Sequence, residues 1–258
     1  RAPASSKPAP FFMARPPANN NQMTITSPHN EHLKEIRKLN QRRRARQQAG
    51  RFVAEGEDLL AAADAAGWQP LERYCAADSG LPGTEVEPKL LAAASELGSG
   101  TRTLAVYEER WASAPTGPLC VYLHGVHDPG NVGAILRSAE AFGAASVAIG
   151  PGTADPFGPK AVRASMGAVF TVPLARAATL ADLPGETVAL DADTDGAPAL
   201  ETLALPAVTL LIGAERQGLP ADLIQGADHV ARIPIVNHSL NAAMAATVAL
   251  YEASRMAR

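Results

Sequence analysis

Between residues 30 and 48 the apolar positions Leu33, Ile36 and Leu39, with Asn40 beside them, follow the three-to-four-residue spacing of one helix face. Lys34, Lys38, Arg42 and Arg46 stand four apart on the other side, so the pattern predicts a basic amphipathic helix over 30–48. Arg51–Glu55 then reads as a strand, and 57–66 as a helix stopped by Gly67. Short strands are predicted near 71–75 and 104–107, with a helix over 88–97 between them. Together these make a small α/β unit of roughly 80 residues. Pro115, Gly117 and Pro118 mark a linker, after which longer strand and helix periods alternate. Strands are predicted at Leu119–Leu123, Ser146–Ile149, 188–190, Val208–Ile212 and 229–233. Helices are predicted at 132–142, 159–166 and 240–256, with another starting at Pro220. Strands that alternate with helices imply a mostly parallel sheet covered on both faces. The expected organisation is a disordered tail (1–23), a first domain (24–110), a linker (111–117) and a second domain (118–258), with no internal repeat.

Composition adds little until it is divided. The 258 residues are 47% hydrophobic and 19% charged, enough for a full core, and no apolar run approaches the ~18–20 residues of a membrane span. Residues 1–23 hold five prolines and Asn19-Asn20-Asn21 and read as a leader or an appended remnant, with Met23 as a candidate native start. Cys75 and Cys120 fit neither a disulfide framework nor a metal site, and a reduced, cytoplasmic protein without a metal is expected. The net charge of −3 conceals a strong asymmetry. Residues 1–51 carry eleven Lys or Arg against Glu31 and Glu35, or +9, and the remainder carries −12. A basic arm on an acidic body points to a polyanionic partner, although a solvated helix face explains the charge equally well.

Three segments of the second domain carry candidate chemistry. In the first, Asp128-Pro129-Gly130 turns into Asn131 and a helix whose apolar stripe is Val132, Ile135, Leu136, Ala139 and Phe142. The plainest reading of Asn131 is an N-cap. Arg137 projects nearly opposite the stripe, so it faces solvent, a site or a partner. In the second, the apolar strand through Ile212 runs into Gly213-Ala214-Glu215-Arg216-Gln217-Gly218, a strand-end loop of the kind at which α/β proteins bind ligands. In the third, Ile233-Pro234 leads through Ser239-Leu240-Asn241 into the last helix, where Ser239 and Asn241 are simply explained as caps. His238 beside Ser239 makes a poor nucleophile pair, because neighbours in one loop rarely hold that geometry and no G-x-S-x-G elbow is present. A Rossmann-type enzyme is disfavoured by the lack of a G-x-G-x-x-G turn.

Taken in order, N-V-G-A-I-L-R-S-A-E-A-F-G, L-I-G-A-E-R-Q-G-L and I-P-I…S-L-N-A-A-M-A…L-Y-E resemble the three motifs of the SpoU/TrmH family of RNA ribose 2′-O-methyltransferases, in the SPOUT superfamily. Ser165-Met166-Gly167-Ala168 and Pro173 fit the segment between the first two motifs. Ile25-Thr26-Ser27-Pro28, the basic helix and Phe52-Val53-Ala54-Glu55-Gly56 resemble the family's substrate-binding domain, which has a ribosomal-protein-like fold. One departure stands out. Only residues 235–238 separate Ile233-Pro234 from Ser239, about two fewer than the family pattern.

The resemblance implies an α/β fold with a small N-terminal RNA-binding domain and a C-terminal α/β-knot domain, a deep trefoil that departs from the usual absence of knots. It implies S-adenosylmethionine as cofactor, contacted at Gly213, Ile233 and Leu240, and a homodimer paired through the knotted domains. It assigns Asn131, Arg137, Glu215, Ser239 and Asn241 to catalysis. RNA is the implied substrate, ribosomal rather than transfer RNA because the appended domain is common among the family's rRNA enzymes, with Lys34, Lys38, Arg42, Arg43, Arg44 and Arg46 as its phosphate contacts. A non-catalytic RNA-binding protein of the same fold is the alternative. The joint presence of the five catalytic positions argues against it.

Overall fold

The computed structural model describes residues 24–98, 100–192, 194, 196–203, 205–236 and 240–256; the proline-rich tail expected over 1–23 lies outside them. The stretch predicted as one helix over 30–48 folds as two, because the backbone becomes extended at Arg42 (φ −129°, ψ 110°). Helix α1 (Glu31–Gln41) starts at Asn30, whose side chain accepts the Leu33 N–H, and it buries Leu33, Ile36, Leu39 and Asn40. Helix α2 (Arg43–Ala49) ends at Gly50, which takes the left-handed conformation that glycine adopts without steric cost.

The first sheet contains β1 (Arg51–Glu55), β2 (Glu72–Ala76), β3 (Thr84–Val86) and β4 (Thr103–Glu108) in the order β1-β4-β2-β3. Helix α3 (Glu57–Ala65) follows β1, and α4 (Pro88–Ala94) follows β3. Strand β3 was not predicted, being three residues long and therefore without a readable period. Helix α4 stops short of the predicted residue 97 for a local reason. Ser95 is extended, and the next two N–H groups, of Glu96 and Leu97, donate to the buried Glu55 carboxylate at 3.0 and 3.2 Å. Asn40 donates to the same carboxylate at 2.7 Å, so one acid ties α1, β1 and the end of α4 together.

The second sheet is parallel throughout, with the order β10-β8-β9-β5-β6-β7. Its strands are β5 (Leu119–Leu123), β6 (Ser146–Ile149), β7 (Leu174–Arg176), β8 (Glu186–Leu190), β9 (Val208–Ile212) and β10 (His229–Ala231). Its helices are α5 (Pro129–Ala141), α6 (Pro159–Ser165), α7 (Ala221–Gly226) and α8 (Ala242–Met256). The central strands β5 and β9 are buried at every residue, as expected for a sheet covered on both faces.

The segment expected as a linker over 111–117 is docked. Ala112 pairs in parallel with Ala175 beside β7, and Thr116 exchanges hydrogen bonds with the Ser146 hydroxyl at 2.9 and 2.7 Å. The two sheets also share one continuous apolar core. Phe52 packs on Phe157 with ring centroids 4.8 Å apart, and Trp68 packs edge-on against Phe170 while its Nε1–H donates to the Phe170 carbonyl at 2.8 Å. Gly167 (φ +102°) allows α6 to approach α3, since a Cβ there would lie 2.6 Å from the Ala62 methyl. Among the described residues no helix is long and apolar enough to cross a membrane.

Candidate functional site

Asp128, not Asn131, caps α5. Its carboxylate accepts the Gly130 N–H at 2.7 Å, and the Lys160 ammonium together with that N–H holds it below the usual carboxylate range. Asn131 is the third residue of the helix, and its amide is free to face the loop after β9. That loop is narrow. Ala214 and Gly218 exchange N–H···O bonds in both directions at 3.0 Å, which puts Glu215, Arg216 and Gln217 at its tip. Gly213 is required here because a Cβ would run into the Gly218 carbonyl carbon and the Leu219 nitrogen.

Glu215, Asn131 and Asn241 form one hydrogen-bonded chain, and helix capping sets its direction. The Asn241 Oδ1 accepts the Ala243 N–H at 2.9 Å at the start of α8, which leaves its Nδ2 to donate to the Asn131 Oδ1 at 3.2 Å. The Asn131 Nδ2 must then donate to the Glu215 Oε1, which it does at 2.8 Å. Asn131 thus joins two residues that lie 84 and 110 positions further along the sequence, and the three hold one another in place.

Beside this chain a cleft opens at the carboxyl ends of β8, β9 and β10, where open α/β sheets bind ligands. Gly213, Ile233 and Leu240, the three expected cofactor contacts, all line it. So do the apolar Ile212 and Ile235, two carboxylates, Asp191 and Glu215, and one guanidinium, that of Arg216. Asp191 was missed in the sequence, although its place directly after a predicted strand was a usable signal. The apolar walls suit a flat heterocycle, and the charged rim carries both signs.

Other expected residues fall elsewhere. Arg137 is exposed on α5 and has no hydrogen bond or ion pair with the chain of amides among the described residues. Ser239 lies outside the described residues, as do residues 237 and 238 of the shortened loop. Lys38, Arg42 and Arg44 are exposed, as is Arg43, which donates to the Thr153 carbonyl at 3.3 Å, and Lys34 pairs with Glu31. Arg46 departs from the expectation for this group. It is 5% exposed, pairs with Asp155 at 2.8 Å and donates to the Leu39 and Asn40 carbonyls, so its guanidinium is unavailable to a phosphate. The four-residue spacing implied a continuous exposed row, but the break at Arg42 turns α2 and carries Arg46 into the junction between the sheets.

Comparison with known proteins places the chain in a family. Residues 118–251 match the SpoU rRNA Methylase family, and residues 30–113 match the MRM3-like substrate binding domain. The chain is 33% identical over 246 residues to Ribosomal RNA small subunit methyltransferase G 2 of Syntrophobacter fumaroxidans, covering 90% of the chain but only 49% of that relative, about half its length. It is 28% identical to the 23S rRNA (guanosine(2553)-2′-O)-methyltransferase RlmP of Bacillus subtilis, covering 88% of the chain and 97% of the relative. The crystal structure of an AdoMet-bound rRNA methyltransferase from Sinorhizobium meliloti superposes with a TM-score of 0.78 at 31% identity, covering 90% of the chain and 97% of the other. With more than half of its length matched by one family, and its chemistry-bearing loops in that half, the chain belongs to the SpoU rRNA methylase family.

Proposed function

We propose that the protein transfers a methyl group from S-adenosylmethionine to a ribose 2′-hydroxyl of RNA, ribosomal rather than transfer RNA, in the cytoplasm. The observation that carries this reading is the Glu215–Asn131–Asn241 chain at the rim of the cleft that Gly213, Ile233 and Leu240 line. The similarity to RlmP and to the AdoMet-bound rRNA methyltransferase supports both substrate and cofactor.

When bound, S-adenosylmethionine supplies a methyl on a sulfonium, an electrophile already activated for in-line attack. The chain's own residues have a smaller task, to place the ribose hydroxyl, stabilise the charge that develops on it and keep water away. Asn131 and Asn241 present fixed amides to that hydroxyl, and Glu215 fixes Asn131. Arg137 is no base, because a guanidinium does not deprotonate in proteins. It acts as a clamp on a neighbouring phosphate and on the developing alkoxide.

Arg137 lies six residues from Asn131, about 240° around α5 at ~100° per residue, and so points away from its own chain of amides. It would serve the site of a second copy. The last helix supports such pairing. Ala246, Ala249, Leu250 and Ala253 are buried in their own subunit, while Met244, Val248 and Tyr251 remain exposed beside α5, where Tyr251 packs against Phe142. We therefore assign a homodimer formed through α5 and α8, with the C-terminal segment threaded as the family's knot. Calorimetry at micromolar protein tests the reading. One S-adenosylmethionine per protomer is expected, and binding of NAD in its place contradicts it. Light scattering should give a dimer, and a monomer at every concentration contradicts the pairing. An inactive RNA-binding protein is disfavoured because the hydrogen-bonded chain is intact.

A further inference from the structure

The cofactor cleft does not end at Glu215. Across Ala214 and Gly218 it continues into a second depression at the end of β5, and across Pro151 and Gly152 into a third at the ends of β6 and β7. Sharing these rims, the three depressions lie side by side along the carboxyl edge of the sheet, from the cleft to the basic helix α2. The middle one has a floor of backbone. Gly125, Gly152 and Gly218 lie there with φ values of +67°, +74° and +64°. A Cβ on Gly152 would meet the Gly125 Cα at 3.3 Å, so the floor is kept free of side chains. His124, His127 and Gln217 border it with no acid among the lining residues. Burial holds the His124 imidazole below its usual value, and its Nδ1 lies 3.2 Å from the Tyr122 hydroxyl.

The far end is cationic. Arg43 lines it from α2, and Arg176 lies with its guanidinium 4.2 Å above the Trp111 ring. Of the two acids at that end, Asp155 is taken by Arg46, and Glu109 accepts the Trp111 Nε1–H at 2.9 Å.

We propose that this row of depressions is the bed of the RNA strand flanking the methylated nucleotide, with one nucleobase lying on the glycine floor against His127 and the next phosphates between Arg43 and Arg176. A flat base needs a floor without side chains and an aromatic edge, and single-stranded RNA is held by ring stacking together with cations that follow its backbone. Adjacency to the cofactor cleft favours RNA over any other polyanion, because the strand must leave the site in some direction and these neighbouring depressions lead from the cleft to the basic end. The proposal rests on the reading of the cleft as an RNA methyltransferase site.

Unmodified transcripts of small- and large-subunit ribosomal RNA are the probe. Arg43→Glu with Arg176→Glu should raise the RNA Kd about tenfold or more and flatten its salt dependence by ~0.7 per lost phosphate contact. His127→Ala should raise KM for RNA about fivefold, the effect of one lost stacking contact. Because Arg43 also bonds Thr153, Gln217→Glu at the exposed loop tip serves as a second variant and should weaken RNA binding in the same direction. S-adenosylmethionine affinity, measured by calorimetry, should match the wild type in each. RNA affinity and KM within about twofold of wild type, with methyl transfer intact, overturn this bed and leave the enzymatic reading standing. A wild-type protein that neither binds S-adenosylmethionine nor methylates either transcript overturns both.

Discussion

Asn131 can donate to Glu215 and accept from Asn241 at the same time only because Asn241 is itself fixed as the cap of α8. Asn131→Ala removes both contacts and should lower kcat about a hundredfold, the usual effect of losing one preorganised donor. S-adenosylmethionine affinity should change little, and steady-state kinetics showing kcat within about threefold of wild type would discount the chain. Arg46 demonstrates how burial changes the role of a charge. It and Asp155 have side-chain exposures of 6% and 11%, so Arg46→Ala strands a buried carboxylate and should destabilise the protein by about 3–5 kcal/mol in urea unfolding. A loss below about 1 kcal/mol would place the pair among ordinary surface contacts. Glu109 is a half-buried acid near the same junction. Burial raises its carboxyl above the usual range, and its Oε1 has no hydrogen-bond partner among the described residues. A raised acid penalises the folded state once ionised, so the cost is absent below the unfolded value and complete above the folded one. Glu109→Gln should therefore raise Tm at pH 7 and leave it unchanged near pH 4. An equal shift at both pH values would refute burial as the cause.

At the scale of elements, the two sheets are joined as a single folding unit. Phe52 and Tyr107 of the first sheet, with Trp68 after α3, share a core with Phe157 and Phe170 on either side of α6, and Ala112 is paired to β7. Calorimetry should show one unfolding transition, and two separated transitions would contradict the shared core. The long periodic elements were legible in the sequence. Arg51–Glu55, Leu119–Leu123, Ser146–Ile149 and Val208–Ile212 form strands at those residues because β-branched and apolar runs between turn signals have few alternatives. What was hidden depended on tertiary partners. The break at Arg42 turns α2 so that Arg46 meets Asp155, and α4 ends early because Glu55 captures the following N–H groups. Strands β3 and β7, at three residues each, are held by neighbouring strands and leave no period to read.

For the whole molecule, the charge asymmetry and the parallel sheet combine into one arrangement. Arg43 lines the depression nearest α2, and the proposed cofactor cleft opens on the same carboxyl edge of the sheet. Of the candidate site, Gly213, Ile233, Leu240, Asn131, Glu215 and Asn241 were legible because motif order placed them and the fold brought them together. Asp191, His127 and Arg176 were not, since each gains its position only when distant strand ends align. The most direct test is nucleoside mass spectrometry of ribosomal RNA incubated with the protein and methyl-labelled S-adenosylmethionine. The account predicts label on a ribose 2′-oxygen, lost when the target carries 2′-deoxyribose and strongly reduced by Arg137→Ala. Label on a base, or undiminished transfer to the deoxy substrate, would contradict it.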